Sequence, residues 1–325
     1  MEEKIKKILT ALLAGAVLAL LFLAFFTNSS EVKEKVRVAD LAVTQNAPFY
    51  FALENGFFTH EGIEVEIVRF DSPKQIVDAV ALNQVDLSGP GGATGIAAIA
   101  ESIIPGNLKY YAFSCHFNET GTSLLVLPGS EIASLKDLVG KKVGKLPGIQ
   151  WTAIARRMLE NNGINASKVE LVDLAIPLQL QALEAKQVDA LIALDPVGEI
   201  GVGKGIAKVA VAGVAQKNVV DPLCGGAGLI SAKFLKERPA VAKKVLTAMK
   251  KAFNEFRKQP HPEILVKYLK LDEKTARAMP FPLQEFAFYD ELSEKQKQAT
   301  QRLLDLFYEE GVMKKKVRLE DILLN

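Results

Sequence analysis

A short pattern recurs in the two halves of this chain, and it limits the folds open to it. Gly62-Ile63-Glu64-Val65-Glu66 is followed by a helix-like stretch and then by Asn83-Gln84-Val85-Asp86. Gly163-Ile164 precedes Val169-Glu170-Leu171, a second helix-like stretch and Lys186-Gln187-Val188-Asp189. The glycine-to-aspartate spans, 62 to 86 and 163 to 189, are 24 and 26 residues. Strings this short recur by chance, but rarely in the same structural slots. A strand–helix–strand unit present twice points to two similar α/β lobes. The 325 residues suffice for two lobes of ordinary domain size.

The flanking sequence extends the alternation. Residues 36–43 read as a strand, and residues 48–58 as a helix that stops at Gly56. Residues 63–70 alternate apolar and polar side chains, as a strand does. Ser72 is placed to cap a helix whose first residue is Pro73. Residues 85–88 read as a short strand, Gly89-Pro90-Gly91-Gly92 as a tight loop, and residues 93–101 as a helix. The second half repeats the scheme, with strands at 123–127, 142–144 and 209–211 and a helix over 152–162. Strands that alternate with helices imply a mainly parallel sheet in each lobe. The C-terminal third reads as helical. Val241, Val245, Met249, Ala252 and Phe256 mark one buried face, and Ser293 with Gln296 caps a later helix that stops at Gly311. This helical tail has no counterpart mid-chain, so it is expected to pack on the first lobe and make that lobe discontinuous.

Composition removes several classes of function. A net charge of +2 gives no field for nucleic acid. Two cysteines and three histidines, none at zinc-ligand spacing, argue against a structural metal. Nothing calls for a cofactor. No serine–base pair, paired catalytic carboxylates or Gly-x-Ser-x-Gly elbow stands out, so no catalytic residue is assigned and no enzyme is expected. The N-terminus carries Lys4, Lys6 and Lys7 ahead of an apolar run at residues 8–26. As a helix that run is roughly 28 Å long, close to the thickness of a bilayer core. It reads either as a cleaved export signal or as an uncleaved anchor. Either way the rest of the chain is exported.

Specific residues carry a family resemblance. Pro48-Phe49-Tyr50-Phe51-Ala52-Leu53-Glu54-Asn55-Gly56-Phe57-Phe58 matches the pattern Pro-x-x-x-Ala-x-x-x-Gly-Phe-Phe. Gly62-Ile63-x-Val65-Glu66, Gln84-Val85-Asp86, Gly91-Gly92, Leu138-x-Gly140-Lys141-Lys142-Val143, Pro147-Gly148, Asp189-Ala190 and Asp195-Pro196 follow in order. Together these resemble the nitrate/sulfonate/taurine and thiamine-pyrimidine group of ABC substrate-binding proteins. The resemblance implies a two-lobed type II periplasmic-binding-protein fold. Its lobes would comprise residues 36–120 plus 222–325 and residues 121–221, after a signal or anchor and linker at 1–35. Crossovers are expected near residues 117–122 and 218–224, with closure on the ligand by hinge motion. Cys115 and Cys224 flank these crossovers. Two outcomes stay open for them, a disulfide in an oxidising compartment or two buried thiols.

The resemblance further implies a monomer on the outer face of the cytoplasmic membrane, serving an ABC permease and its ATPase. In an open parallel sheet the ligand lies beyond the carboxyl ends of the strands. The loops there offer Gln45, Asn46, Ser72, Gly92, Thr94, Gln150, Trp151, Thr152 and Asp195 as ligand-binding candidates. Several of these loops open helices, whose free N–H groups hold anions without a cationic side chain. No arginine lies in them, which favours a weakly charged anion or a zwitterion: nitrate, an alkanesulfonate or taurine. Asp195 is placed to meet an amine, and Trp151 to stack on a flat ligand. The hydroxyls of Ser72, Thr94 and Thr152 serve equally well as helix caps. The rival ligand is a thiamine-precursor pyrimidine. A more distant alternative is a pyrimidine-forming enzyme on the same fold.

Overall fold

The computed structural model describes residues 34–279 and 284–324. The expected apolar helix at residues 8–26 lies outside these residues, as does the expected linker except for Glu34 and Lys35, which begin a strand instead. Among the described residues no helix is long and apolar enough to cross a membrane.

Two sheets form the scaffold. The first is built from β1 (Glu34–Asp40), β2 (Ile63–Arg69), β3 (Leu87–Ser88), β4 (Gly92–Ala93), β5 (Leu108–His116), β11 (Leu223–Ser231) and β12 (Gln284–Phe288). Its order is β12-β5-β11-β3-β1-β2, and β4 pairs with β11. The second holds β6 (Thr122–Val126), β7 (Lys142–Lys145), β8 (Glu170–Asp173), β9 (Ala190–Leu194) and β10 (Lys208–Ala212), in the order β10-β6-β9-β7-β8. The run β3-β1-β2 in one sheet and β9-β7-β8 in the other is the same arrangement, made by the repeated segment.

The repeat is conserved in structure because its residues answer the same backbone demands. Gly62 and Gly163 lie at φ 71° and 73°, a left-handed conformation that costs glycine nothing. Asn83 and Lys186, at φ 60° and 55°, each follow a helix at the matching place. The Asp86 carboxylate accepts the Arg37 N–H at 2.8 Å, and Asp189 accepts that of Lys142 at 2.8 Å. Each aspartate thereby satisfies a backbone donor of the neighbouring strand.

Parallel pairing is confined to β1–β3, β7–β8 and β7–β9 among the ladders whose direction is defined. β11 runs antiparallel to β3, and β6 antiparallel to β9. The sheets are therefore mixed rather than mainly parallel. The cause is topological: β6 and β11 are the first strands after each passage between sheets, and they enter from the opposite end. β12 falls in the stretch read as helical. Its five residues are too few for a clear period, and it forms by pairing with β5.

Helices cover both sheets. The helix Pro239–Phe256 buries Val241, Val245, Met249, Ala252 and Phe256, as its periodicity implies, and packs on the helix Ala47–Glu54. The helix Glu294–Glu309 starts at a capping box formed by Ser293 and Gln296 and packs on β11 and the helix Thr94–Ile103. Beyond its end, Glu310 takes two hydrogen bonds from Arg157 of the helix Ile149–Asn161, at 3.1 and 2.7 Å. This ion pair ties an element beside the first sheet to one beside the second.

Candidate functional site

The segment after β1 is fixed by one buried carboxylate. Asp40 accepts from Tyr50 Oη at 2.7 Å and Asn46 Nδ2 at 2.8 Å, and lies 3.4 Å from Arg69. Asn46 Oδ1 in turn accepts the Gly91 N–H at 2.6 Å. Both polar atoms of the Asn46 side chain are thus engaged in holding two loops together. Burial, followed by the Asp40 charge, pushes the Tyr50 phenol far above its ordinary range, so it stays protonated and keeps donating to Asp40.

This frame sets Gln45 at the wall of a small, partly enclosed cavity of about 30 Å³. Val43, Gln45, His116 and Leu223 line it from segments of the first sheet, and Gln150, Trp151 and Leu194 from segments of the second. Gln45 Nε2 lies 3.0 Å from His116 Nε2. Gln45 Oε1 and His116 Nδ1 are buried and have no partner. Burial lowers the His116 pKa to about 4, so the ring is neutral. If the amide donates to Nε2, then Nδ1 carries the free proton and Oε1 is the free acceptor. With the amide reversed, the free donor and acceptor exchange places. Either way the pair presents one donor and one acceptor. Gly121 has φ 78°, and a Cβ there would lie 2.1 Å from the imidazole, so the crossover needs glycine to let the ring in.

The candidate residues divide into three groups. Gln45, Gln150 and Trp151 converge on the cavity and are nearly fully buried. Asn46, Thr94 and Gly92 lie close by but are engaged internally. Thr94 Oγ1 donates to the Cys224 carbonyl at 2.8 Å, and Gly92 pairs with Ala227. Ser72, Thr152 and Asp195 are elsewhere. Ser72 caps its own helix. Thr152 donates to the Gly148 carbonyl and lines a separate groove with Lys145 and Arg156.

Asp195 lies at the first crossover, where it accepts the Gly121 N–H at 3.0 Å with the Glu199 carboxyl against it. Burial, then the Glu199 charge, raises the Asp195 pKa well above the carboxylate range, and burial raises that of Glu199. The two acids hold a proton between them. Their folded values exceed their unfolded values, so the pair adds stability in acid and loses it as pH rises. Asp195→Asn keeps the acceptor for Gly121 and removes one charge. It is expected to raise stability at pH 8 by on the order of 1 kcal/mol, an advantage that shrinks toward pH 4. Urea unfolding at the two pH values checks this.

Sequence reasoning missed His116, which entered only as one of three histidines. Its signal is its place, the last residue of a strand that feeds a crossover. The structure also resolves the cysteines: Cys115 and Cys224 form a disulfide between β5 and β11, beside the cavity wall.

Comparison with known proteins places the chain in a family. The NMT1/THI5-like family model matches residues 43–263, and the chain belongs to that family. It is 28% identical over 105 residues to the 4-amino-5-hydroxymethyl-2-methylpyrimidine phosphate synthase of Schizosaccharomyces pombe, covering 32% of this chain and 28% of that protein. It is 31% identical over 168 residues to a putative thiamine biosynthesis protein of Haemophilus influenzae, covering 51% of this chain and 52% of the relative. The matches thus span about a quarter and about half of those proteins.

Solved structures share the two-lobed periplasmic-binding-protein fold. The alkanesulfonate-binding protein SsuA of Xanthomonas axonopodis superposes with a TM-score of 0.72 at 19% identity, covering 89% of this chain and 98% of that one. The ligand-binding component of an ABC-type import system from Staphylococcus aureus gives 0.72 at 13% identity, with 90% and 96% covered. The periplasmic nitrate-binding protein NrtA of Synechocystis gives 0.65 at 16% identity, with 87% and 83% covered.

Proposed function

We propose that this chain is the extracytoplasmic solute-binding component of an ABC importer. Its lobes, residues 36–120 plus 222–325 and residues 121–221, would close on one small solute by bending at the two crossovers and deliver it to a permease and ATPase. The single observation that carries this reading is the small cavity between elements of the two sheets, with two lining side chains, Gln45 and His116, that each hold a buried polar atom without a partner. Buried polar groups are ordinarily paired, so two orphans on neighbouring side chains mark a place for a ligand. The disulfide supports an oxidising location outside the cytoplasm. Neither cysteine is a thiol, so neither serves as a nucleophile.

The wall favours an uncharged flat solute with adjacent donor and acceptor atoms, such as an aminopyrimidine. Among the described residues no cationic side chain lines the cavity, and Trp151 lies in its wall as an aromatic surface for stacking. An anion would meet an acceptor at the Gln45–His116 pair whichever way the amide is turned. A small anion or zwitterion is the second reading. It is favoured by the size of the cavity, which admits on the order of two waters, and by the helix Ile149–Asn161, whose N-terminus has no side-chain cap. Calorimetric titration with 4-aminopyrimidine, nitrate, methanesulfonate and taurine separates the two. The first reading expects a response to the aminopyrimidine alone. Binding of nitrate or taurine without the aminopyrimidine would reverse the order. Silence toward all four would remove both ligand classes.

A further inference from the structure

We propose that Gln150 is a specificity-determining latch, one that closes the cleft while keeping anions out of it. The proposal rests on the solute-binding reading above. Gln150 belongs to the helix Ile149–Asn161, which follows β7 of the second sheet. Its side chain reaches an element of the first half of the chain: Oε1 accepts the Gly95 N–H at 2.8 Å and the Ile96 N–H at 3.3 Å. These are buried first-turn donors of the helix Thr94–Ile103, which have no partner within the helix. Two N–H groups demand an acceptor, so chemistry fixes the amide orientation. Thr94 does not compete, because its hydroxyl is engaged with the Cys224 carbonyl.

A helix N-terminus directed at a cleft is an obvious seat for an anion. Here a neutral carbonyl fills it from the opposite wall. It satisfies the donors without bringing a charge into a buried site, where Gln150 is 1% exposed. The adjoining cavity wall is likewise neutral, with Gln45 and His116 each holding an unpartnered atom. The latch and the wall therefore select in the same direction. A solute held at Gln45 and His116 lets Gln150 reach Gly95, whereas an anion at Gly95 would displace it.

The test is calorimetric titration of nitrate and 4-aminopyrimidine into the full chain, wild type against Gln150→Ala, Gln150→Asn and Gln150→Glu. Gln150→Asn keeps the amide but is one methylene too short to bridge the gap. Gln150→Glu keeps both the reach and an acceptor. Gln150→Ala and Gln150→Asn are expected to bind nitrate at least tenfold more tightly than wild type, and Gln150→Glu no better than wild type. Two short variants guard against one that fails to fold, and thermal unfolding confirms the rest. If neither short variant gains nitrate affinity, the proposal is overturned. It is equally overturned if Gln150→Glu gains as much as they do. A wild type that ignores 4-aminopyrimidine overturns the ligand reading above. The nitrate comparison still decides the role of Gln150, because it is read as a change between chains.

Discussion

Reducing the Cys115–Cys224 bond is expected to lower the unfolding free energy by about 5 kcal/mol. The bond joins residues 109 apart. Every strand of the second sheet, from β6 at Thr122 to β10 at Ala212, lies inside that loop. A cross-link stabilises mainly by removing conformations from the unfolded chain, and a loop of this length gives about 4.8 kcal/mol in the chain-entropy relation. Both cysteines are fully buried, so a reductant reaches them only when the fold opens. The comparison is therefore urea unfolding of oxidised protein, of protein reduced in denaturant and held reduced, and of Cys115→Ala/Cys224→Ala. The reduced and double-alanine chains should unfold at similar, much lower urea concentrations. A loss below about 1 kcal/mol in both would show that the unfolded chain is already compact between the crossovers. A loss in the alanine variant alone would trace to packing rather than to the closed loop.

Much of this architecture was legible in the sequence, because the repeat is written in residues with strict local duties. Glycine at positive φ and aspartate accepting a strand N–H leave few alternatives, so short strings sufficed to find two units. Ser72 before Pro73 and Ser293 with Gln296 marked helix starts for the same reason. Strand direction was not legible. β11 is antiparallel to β3 because the chain returns from the second sheet, and no residue within β11 records that return. The candidate cavity was half legible. Gln45, Gln150 and Trp151, named for their place after strands, all line it. Their partners were not legible, since Gln45 meets a residue 71 positions away and Gln150 meets one 55 positions away. The helix N-terminus at Gly95 read as open until the opposite wall was in view.

His116 should make the protein acid-sensitive in a defined window. Burial lowers its pKa to about 4 from the ordinary 6.5. Between those values the unfolded chain binds a proton that the folded chain refuses. Stability is thus fully present above the unfolded value and is lost as pH falls through the folded one. The shift corresponds to about 3 kcal/mol at 1.36 kcal/mol per pH unit. Protonation has a structural consequence as well: it removes the lone pair of the imidazole and leaves only donors facing the Gln45 amide nitrogen. The amide must then turn its oxygen to His116, and the wall keeps donors but loses its acceptor. Uncharged solutes that need the acceptor should be released in the same window. The Asp195–Glu199 pair works in the opposite direction, so the test is a difference between chains that both retain it. Urea unfolding of wild type and His116→Gln, from pH 7 to pH 4, should show wild type losing about 3 kcal/mol more than the variant. Parallel pH profiles for the two would mean that the imidazole takes up its proton without penalty, and the neutral wall at Gln45 and His116 would go with it.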